Sequence, residues 1–253
     1  MATAKPKSRK SPSRSPANHK APFTLAIDVG GTGLKASVLD SVGRMVVDRV
    51  RVETPVGSTP DEIVTTLAGL VAPLPPSERV SVGFPGVVRK GVVRTAPNLK
   101  HPGWHGFNLT AALQKKLGKP VRVLNDADVQ GLAVIKGDGV EVVITLGTGF
   151  GTALYLDGEL APHLELAHHP FRKGETYEEQ LGNAARKGAG NKDWNKRVKR
   201  AVEQLEELTH FDHLYMGGGN ARHVTFELPD NVTIVSNDAG ITGGVHLWRI
   251  QPR

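Results

Sequence analysis

Short apolar runs punctuated by glycine turns dominate the chain, and helical spacing is confined to a few segments. Phe23–Val29 (FTLAIDV) has the length and composition of a buried strand, Gly30–Gly33 is a glycine-rich turn, and Leu34–Asp40 is a second extended run. After Gly43, the alternation in Arg44–Glu53 predicts a third strand. Sequential strands joined this tightly form an antiparallel meander, not a strand–helix–strand unit. Thr59-Pro60-Asp61-Glu62 combines an N-cap residue, a proline at the first helical position and a glutamate three residues after the cap, predicting a helix from Thr59 to Leu70. A strand over Arg79–Phe84, a Pro85-Gly86 turn, a hairpin arm over Val87–Thr95, a helix over Leu109–Leu117 and a strand over Val121–Leu124 follow. The last strand leads into Asn125-Asp126 at the mouth of a helix over Ala127–Lys136.

The pattern then restarts. Glu141–Leu146 reads as a strand, Gly147–Gly151 as a glycine turn and Thr152–Gly158 as a returning strand, echoing the first unit about 115 residues later. Such a repeat predicts an α/β protein of two similar domains with a cleft between them, divided near residue 137. Trp194, Val198, Ala201, Val202, Leu205 and Leu208 keep helical spacing. A strand over His213–Met216, the run Gly217-Gly218-Gly219, a strand over Val232–Val235 and a helix over Asp238–Trp248 complete the pattern.

Composition narrows the picture. The 253 residues suit two α/β domains, taken as 23–136 and 137–253. The preceding residues 1–22 mix Ser, Pro and basic side chains without apolar periodicity and read as a disordered tail. The net charge of +7 lies almost wholly in that tail: residues 1–20 hold six basic side chains and no acid, leaving 26 basic against 25 acidic residues elsewhere. The folded part therefore has no global field for nucleic acid. With no cysteine, a disulfide framework, a thiolate zinc site and a cysteine nucleophile are all excluded. No apolar run approaches a membrane span, and a soluble, cytoplasmic protein is the expectation.

Glycine loops after strands expose backbone N–H groups that bind phosphate, and three of them occur here. A P-loop is ruled out, because the only Gly-Lys pair, Gly118-Lys119, is followed by Pro120. Gly31-x-Gly33-x-x-Ala36, with Glu53 downstream, matches a relaxed dinucleotide fingerprint, but a β-rich segment follows where that motif needs a helix. A nucleotide-binding hairpin fits better.

Taken in order, these motifs carry a resemblance. Asp28–Thr32 with Lys35 and Asp40, then Leu146–Gly151, then Met216–Gly219 are similar to the two phosphate motifs and the adenosine-side motif of the sugar kinase, heat-shock ATPase and actin superfamily. Within it, Ala96–Leu99, Leu124–Ala127 and Glu165–His168 resemble the sugar-site motifs of the ROK group of hexokinases and repressors. The cysteine cluster that usually holds zinc in that group is missing. His168–Gly182 and a lysine-rich helix replace it, a combination that looks like the polyphosphate-dependent glucokinases and polyphosphate/ATP glucomannokinases.

The resemblance implies an actin-like ATPase fold and phosphoryl transfer from polyphosphate or ATP to the C6 hydroxyl of glucose or mannose, in a homodimer using magnesium and no zinc. Asp126 is then the catalytic base, a role for which one positioned carboxylate suffices, although an Asn-Asp pair at a helix mouth also serves as a plain N-cap. Asn98, Asn125, Asp126, Glu165, His168 and Glu178 are implied sugar ligands, with Glu178 and its neighbour Glu179 unresolved between them. Gly30, Gly31, Thr32, Lys35, Gly147, Thr148, Gly149, Gly217, Gly218 and Gly219 are implied for phosphate and nucleotide, and Asp28 for hydrated magnesium. Glu165 and His168, with His163 and His169 nearby, also have the chemistry of a small metal site. Residues 186–200 set seven cations against Asp193; Lys192, Lys196 and Lys199 either line a polyphosphate path or form a solvated helix face. A ROK-like sugar-sensing regulator is the rival from another class, but twenty Pro/Ser-rich residues before Phe23 do not make a helix-turn-helix.

Overall fold

The computed structural model describes residues 19–250 apart from Asn237. Most of the basic tail, residues 1–18, thus lies outside the described residues. The rest is tied down before Phe23: the Lys20 carbonyl accepts from the Ser41 amide at 2.8 Å, and His19 Nδ1 lies 3.0 Å from the carboxylate of buried Asp40. Burial opposes the charge on Asp40, yet bonds from His19, Arg44 and Val42 hold its pKa at about 2.

Two five-stranded mixed sheets carry the fold. The first is built from β1 (Thr24–Val29), β2 (Leu34–Leu39), β3 (Val50–Val52), β4 (Arg79–Phe84) and β7 (Val121–Asn125), in the order β3-β2-β1-β4-β7. Between them come α1 (Pro60–Val71), the small hairpin β5 (Val88–Arg89) and β6 (Val92–Val93), and α2 (Leu109–Leu117). α1 starts on the expected capping box of Thr59 and Glu62. After α3 (Asp126–Leu132), the second sheet uses β8 (Val140–Leu146), β9 (Phe150–Leu156), β10 (Glu159–Leu160), β13 (His213–Gly217) and β14 (Val232–Ile234), in the order β10-β9-β8-β13-β14. In each sheet the glycine turn joins an antiparallel pair, β1–β2 or β8–β9, and the neighbours beyond β1 and β8 run parallel. The sequence repeat is therefore a repeat of sheet topology. The Gly30–Gly33 turn is a hairpin, so the dinucleotide fingerprint is coincidental.

Between β10 and β13 lie the pair β11 (Pro170–Arg172) and β12 (Glu175–Thr176), α4 (Tyr177–Leu181) and α5 (Asn183–Thr209). α5 buries Trp194, Val198, Ala201, Val202 and Leu205 against the second sheet, and a break at Gly190 (φ 74°) lets it begin eleven residues before the periodic stretch. The expected third strand shrinks to β3: Met45 makes only an isolated bridge to Leu39, and Val46 and Val47 pack into the first core. The expected helix over Asp238–Trp248 is α6 (Ala239–Thr242) followed by 3₁₀ turns over Gly243–Trp248. Three glycines there weaken the helix and permit close contact: a Cβ on Gly244 would press on Ala26 and Ser81. This segment crosses back onto the first sheet, so a cut near residue 137 separates the sheets but not the chain's contacts.

Candidate active site

One cleft of about 390 Å³ opens between the sheets where both glycine turns point. At its floor the backbone of β7 turns into α3. Asn125 caps α3, its Oδ1 accepting from Ala127 N (2.8 Å) and Asp128 N (3.4 Å), while its amide donates to the Gly86 carbonyl at 3.2 Å. The plain N-cap role thus falls to Asn125 and leaves Asp126, the next residue, facing the cleft. Gly83, opposite Asp28 in the β1–β4 register, packs against Asp126.

Burial, reinforced by the charges of Asp28 and Asp128, pushes Asp126 up to about 7, although the Ala127 amide donates to it at 2.9 Å. A carboxyl poised near neutrality in a cleft has the properties of a general base. Asp28 also lines the cleft, and Lys35 beside it is its ion-pair partner.

The remaining polar groups come from both halves. Gly149 of the second turn lies against the side-chain ends of Asn98 and Glu178. Glu178 faces the cleft, while Glu179 is engaged in the capping box of α4, accepting from Thr176 N at 2.8 Å. Gly30, Gly31 and Thr32 line one wall, and Gly147, Thr148 and Gly149 another. Gly218 and Gly219 reach the cleft, but Gly217 ends β13 buried beneath the Gln130 side chain and does not.

His168 differs from expectation as well. Ala167 and Leu166 are buried, and their carbonyls accept from Glu178 N and His169 N, so the chain turns there and leaves His168 exposed, outside the cleft lining. Glu165 does line the cleft. Burial opposes its ionisation, but contact with His163 and the nearby charge of His168 hold its pKa below the usual carboxylate value. Among the described residues no group of three or more His, Asp or Glu is gathered as a metal site. Lys192, Lys196 and Lys199 are exposed on α5 and do not line the cleft.

Sequence reasoning passes over Gln130, Asn220 and Arg222 and names His163 only as a neighbour in a possible metal site, yet all four line the cleft. Two of these carry a readable signal. Gln130 is one helical turn after Asp126, and His163 is two residues before Glu165 in an extended segment, so each shares a face with a chosen residue.

The family model of the ROK family matches residues 24–163. The chain belongs to the ROK family. Over 235 residues this ROK protein is 34% identical to the polyphosphate glucokinase of Mycobacterium tuberculosis, covering 87% of this chain and 88% of that one. The crystal structure of the inorganic polyphosphate/ATP-glucomannokinase from Arthrobacter sp. strain KM superposes with a TM-score of 0.80 at 33% identity, covering 89% of this chain and 97% of that one. A ROK glucokinase from Streptomyces griseus, solved with glucose and AMPPNP, superposes with a TM-score of 0.69 at 21% identity, covering 89% and 98%. The actin-like ATPase architecture of two mixed-sheet domains is the fold of this ROK chain.

Proposed function

We propose that this ROK protein is a kinase that transfers the terminal phosphoryl group of inorganic polyphosphate or ATP to the C6 hydroxyl of glucose, with mannose as a second acceptor. The observation that carries this reading is a single cleft in which a carboxyl group of raised pKa, Asp126, meets two opposed glycine turns and the polar side chains of Asn98, Glu165 and Glu178. The likeness to a polyphosphate glucokinase and a polyphosphate/ATP-glucomannokinase, each above 30% identity over most of both chains, supports it. The sugar-sensing regulator is the weaker reading, having no use for a carboxylate tuned toward neutrality.

In the reaction, the C6 oxygen forms a bond to the terminal phosphorus as the bridging P–O bond of the donor breaks. The hydroxyl proton passes to Asp126, and ADP or a polyphosphate one unit shorter leaves. Asn98, Asn125, Glu165 and Glu178 orient the hexose, so that a bimolecular encounter becomes a positioned one. The amides of Gly30 and Gly147 close the two turns on the carbonyls of Gly33 and Gly149, so the amides of Gly31, Gly149, Gly218 and Gly219, with the hydroxyls of Thr32 and Thr148 and the Lys35 ammonium, neutralise donor phosphate.

Magnesium fits the same wall. Asp28 and Asp126 repel each other across it, and a cation relieves that repulsion. Asp28 is the residue that would hold a hydrated magnesium ion there. When bound, it offsets charge on the transferring phosphoryl group.

The test is coupled detection of glucose 6-phosphate with ATP and with polyphosphate separately, before and after magnesium chelation. Formation with at least one donor, abolished by chelation, is expected. No product with either donor overturns the proposal.

A further inference from the structure

Two imidazoles flank Glu165, and only one faces the cleft. The His163 side chain is 12% exposed and lines it. Its Nδ1 lies 3.3 Å from Oδ1 of Asp128 in the first turn of α3, which fixes the ring. Nε2 then points to the same side as Glu165, 3.5 Å from Oε2, and is buried without a hydrogen bond of its own. Buried polar nitrogens are rarely left unpaired, because the lost hydration is not recovered. Burial works against charge on this imidazole, but the nearby carboxylates of Asp128 and Glu165 outweigh it and lift the pKa to about 10. Both ring nitrogens therefore carry hydrogen at neutral pH, and Nε2–H is a donor awaiting an acceptor.

The chemistry of the neighbourhood selects that acceptor. A phosphate oxygen would accept from Nε2–H but would meet the Glu165 carboxylate as one anion meets another. A hydroxyl accepts from Nε2–H and donates its own hydrogen to Glu165 at once. The geometry points to His163 as a direct sugar ligand, gripping one hexose hydroxyl jointly with Glu165 in the place that sequence alone gives to His168. This inference rests on the cleft being a hexose site.

The experiment measures glucose binding by calorimetry without phosphoryl donor, together with Michaelis constants for glucose and ATP. His163→Asn keeps an amide where Nδ1 meets Asp128 but lacks the reach of Nε2; His163→Gln keeps the reach. Glucose affinity is expected to fall about tenfold or more in the Asn variant and to recover in part with Gln, while the Michaelis constant for ATP stays within about threefold. In a series of monodeoxyglucoses, the one lacking the gripped hydroxyl should bind the parent and His163→Asn alike. Glucose binding within twofold of the parent in both variants overturns the assignment, as does a larger loss from His168→Asn than from His163→Asn. Should the Asn variant fail to melt as a folded protein, the Gln variant and the deoxyglucose series decide. A parent protein that binds no glucose overturns this inference and the hexose reading together, whereas a parent that phosphorylates glucose with unaffected variants overturns only the inference.

Discussion

Lys35 and Asp28 stand directly opposite each other on the β1–β2 pair, with Nζ 2.8 Å from Oδ2. Their side chains are 26% and 17% exposed at the edge of the cleft, so the pair is neither fully desolvated nor free in water. Lys35 thus pairs with Asp28 while lining the cleft where donor phosphate is proposed to lie. Lys35→Met is expected to lower kcat/KM for ATP by about 10- to 100-fold, with glucose affinity within about threefold. Initial-rate kinetics checks this, and an unchanged ATP dependence would confine Lys35 to pairing with Asp28.

Asp126 carries a pH prediction with a definite sign. Only its ionised form accepts a proton, so kcat/KM should rise with pH through an acid limb near 7 and level off above it. Asp126→Asn should cut kcat by about 10²- to 10⁴-fold with glucose affinity kept within several-fold. Stability should move the other way. A carboxyl whose pKa is raised by folding is favoured as the acid, and that contribution is lost as pH climbs from about 4 to beyond 7. The Asn variant should therefore be more stable than the parent at pH 8, by about 1–3 kcal/mol, and gain least at pH 4. Urea melts at both values test this.

Much of this was legible in the residues. The glycine turns Gly30–Gly33 and Gly147–Gly151, the capping box at Thr59 and the Asn125-Asp126 junction each depend on local chemistry, which sequence displays directly. What escaped depends on contacts distant in sequence. His168 turns outward because Ala167 is buried and bonded to α4, and Gly217 is covered because Gln130 lies over it. Helical spacing starting at Trp194 hides the stretch Asn183–Asp193, whose order comes from the second glycine turn: Asn183 N donates to the Gly147 carbonyl at 3.0 Å. The return of the C-terminal segment shows in the sequence only as the short apolar spacing of Ile241 and Val245, which does not say that their partners are Ala26 and Leu39 of the first sheet.

That return makes a stability prediction. Ser81 donates to the Gly244 carbonyl at 2.5 Å and accepts from Trp248 Nε1 at 2.9 Å, and the Trp248 ring lies 4.6 Å from the Arg122 guanidinium. Gly243 packs against the Val129 backbone in α3 so closely that a Cβ would overlap the Val129 carbonyl. Since a carbonyl in a helix cannot rotate aside, Gly243→Ala should force the segment off α3 and cost about 2 kcal/mol or more. Gly240→Ala, with open space for its Cβ, is the matched control and should cost less than about 1 kcal/mol. Equal urea midpoints for the two variants would contradict this account of the packing.

The last prediction concerns how a long donor leaves the cleft. Arg222 lines the cleft, and Arg186 bonds Asn220 at 3.1 Å, the residue whose amide holds the Gly147 carbonyl at 3.0 Å. From Arg186, α5 runs past Gly190 with Trp194 and Val198 in the core, which leaves Lys192, Lys196 and Lys199 on the exposed face. Lys196 pairs with Asp193 at 2.7 Å, an exposed contact worth little and easily exchanged for phosphate. Polyphosphate presents charge along a line, and each lysine it meets releases counterions, whereas the charges of ATP end at the glycine turns. Neutralising the three lysines together should raise the Michaelis constant for long-chain polyphosphate several-fold and flatten its dependence on salt, with ATP kinetics within about twofold. Arg222→Ala should weaken both donors, because its side chain is in the cleft itself. Equal effects of the lysine variant on the two donors would indicate a defect shared by the whole site, and no effect on either would leave this face of α5 to solvent alone.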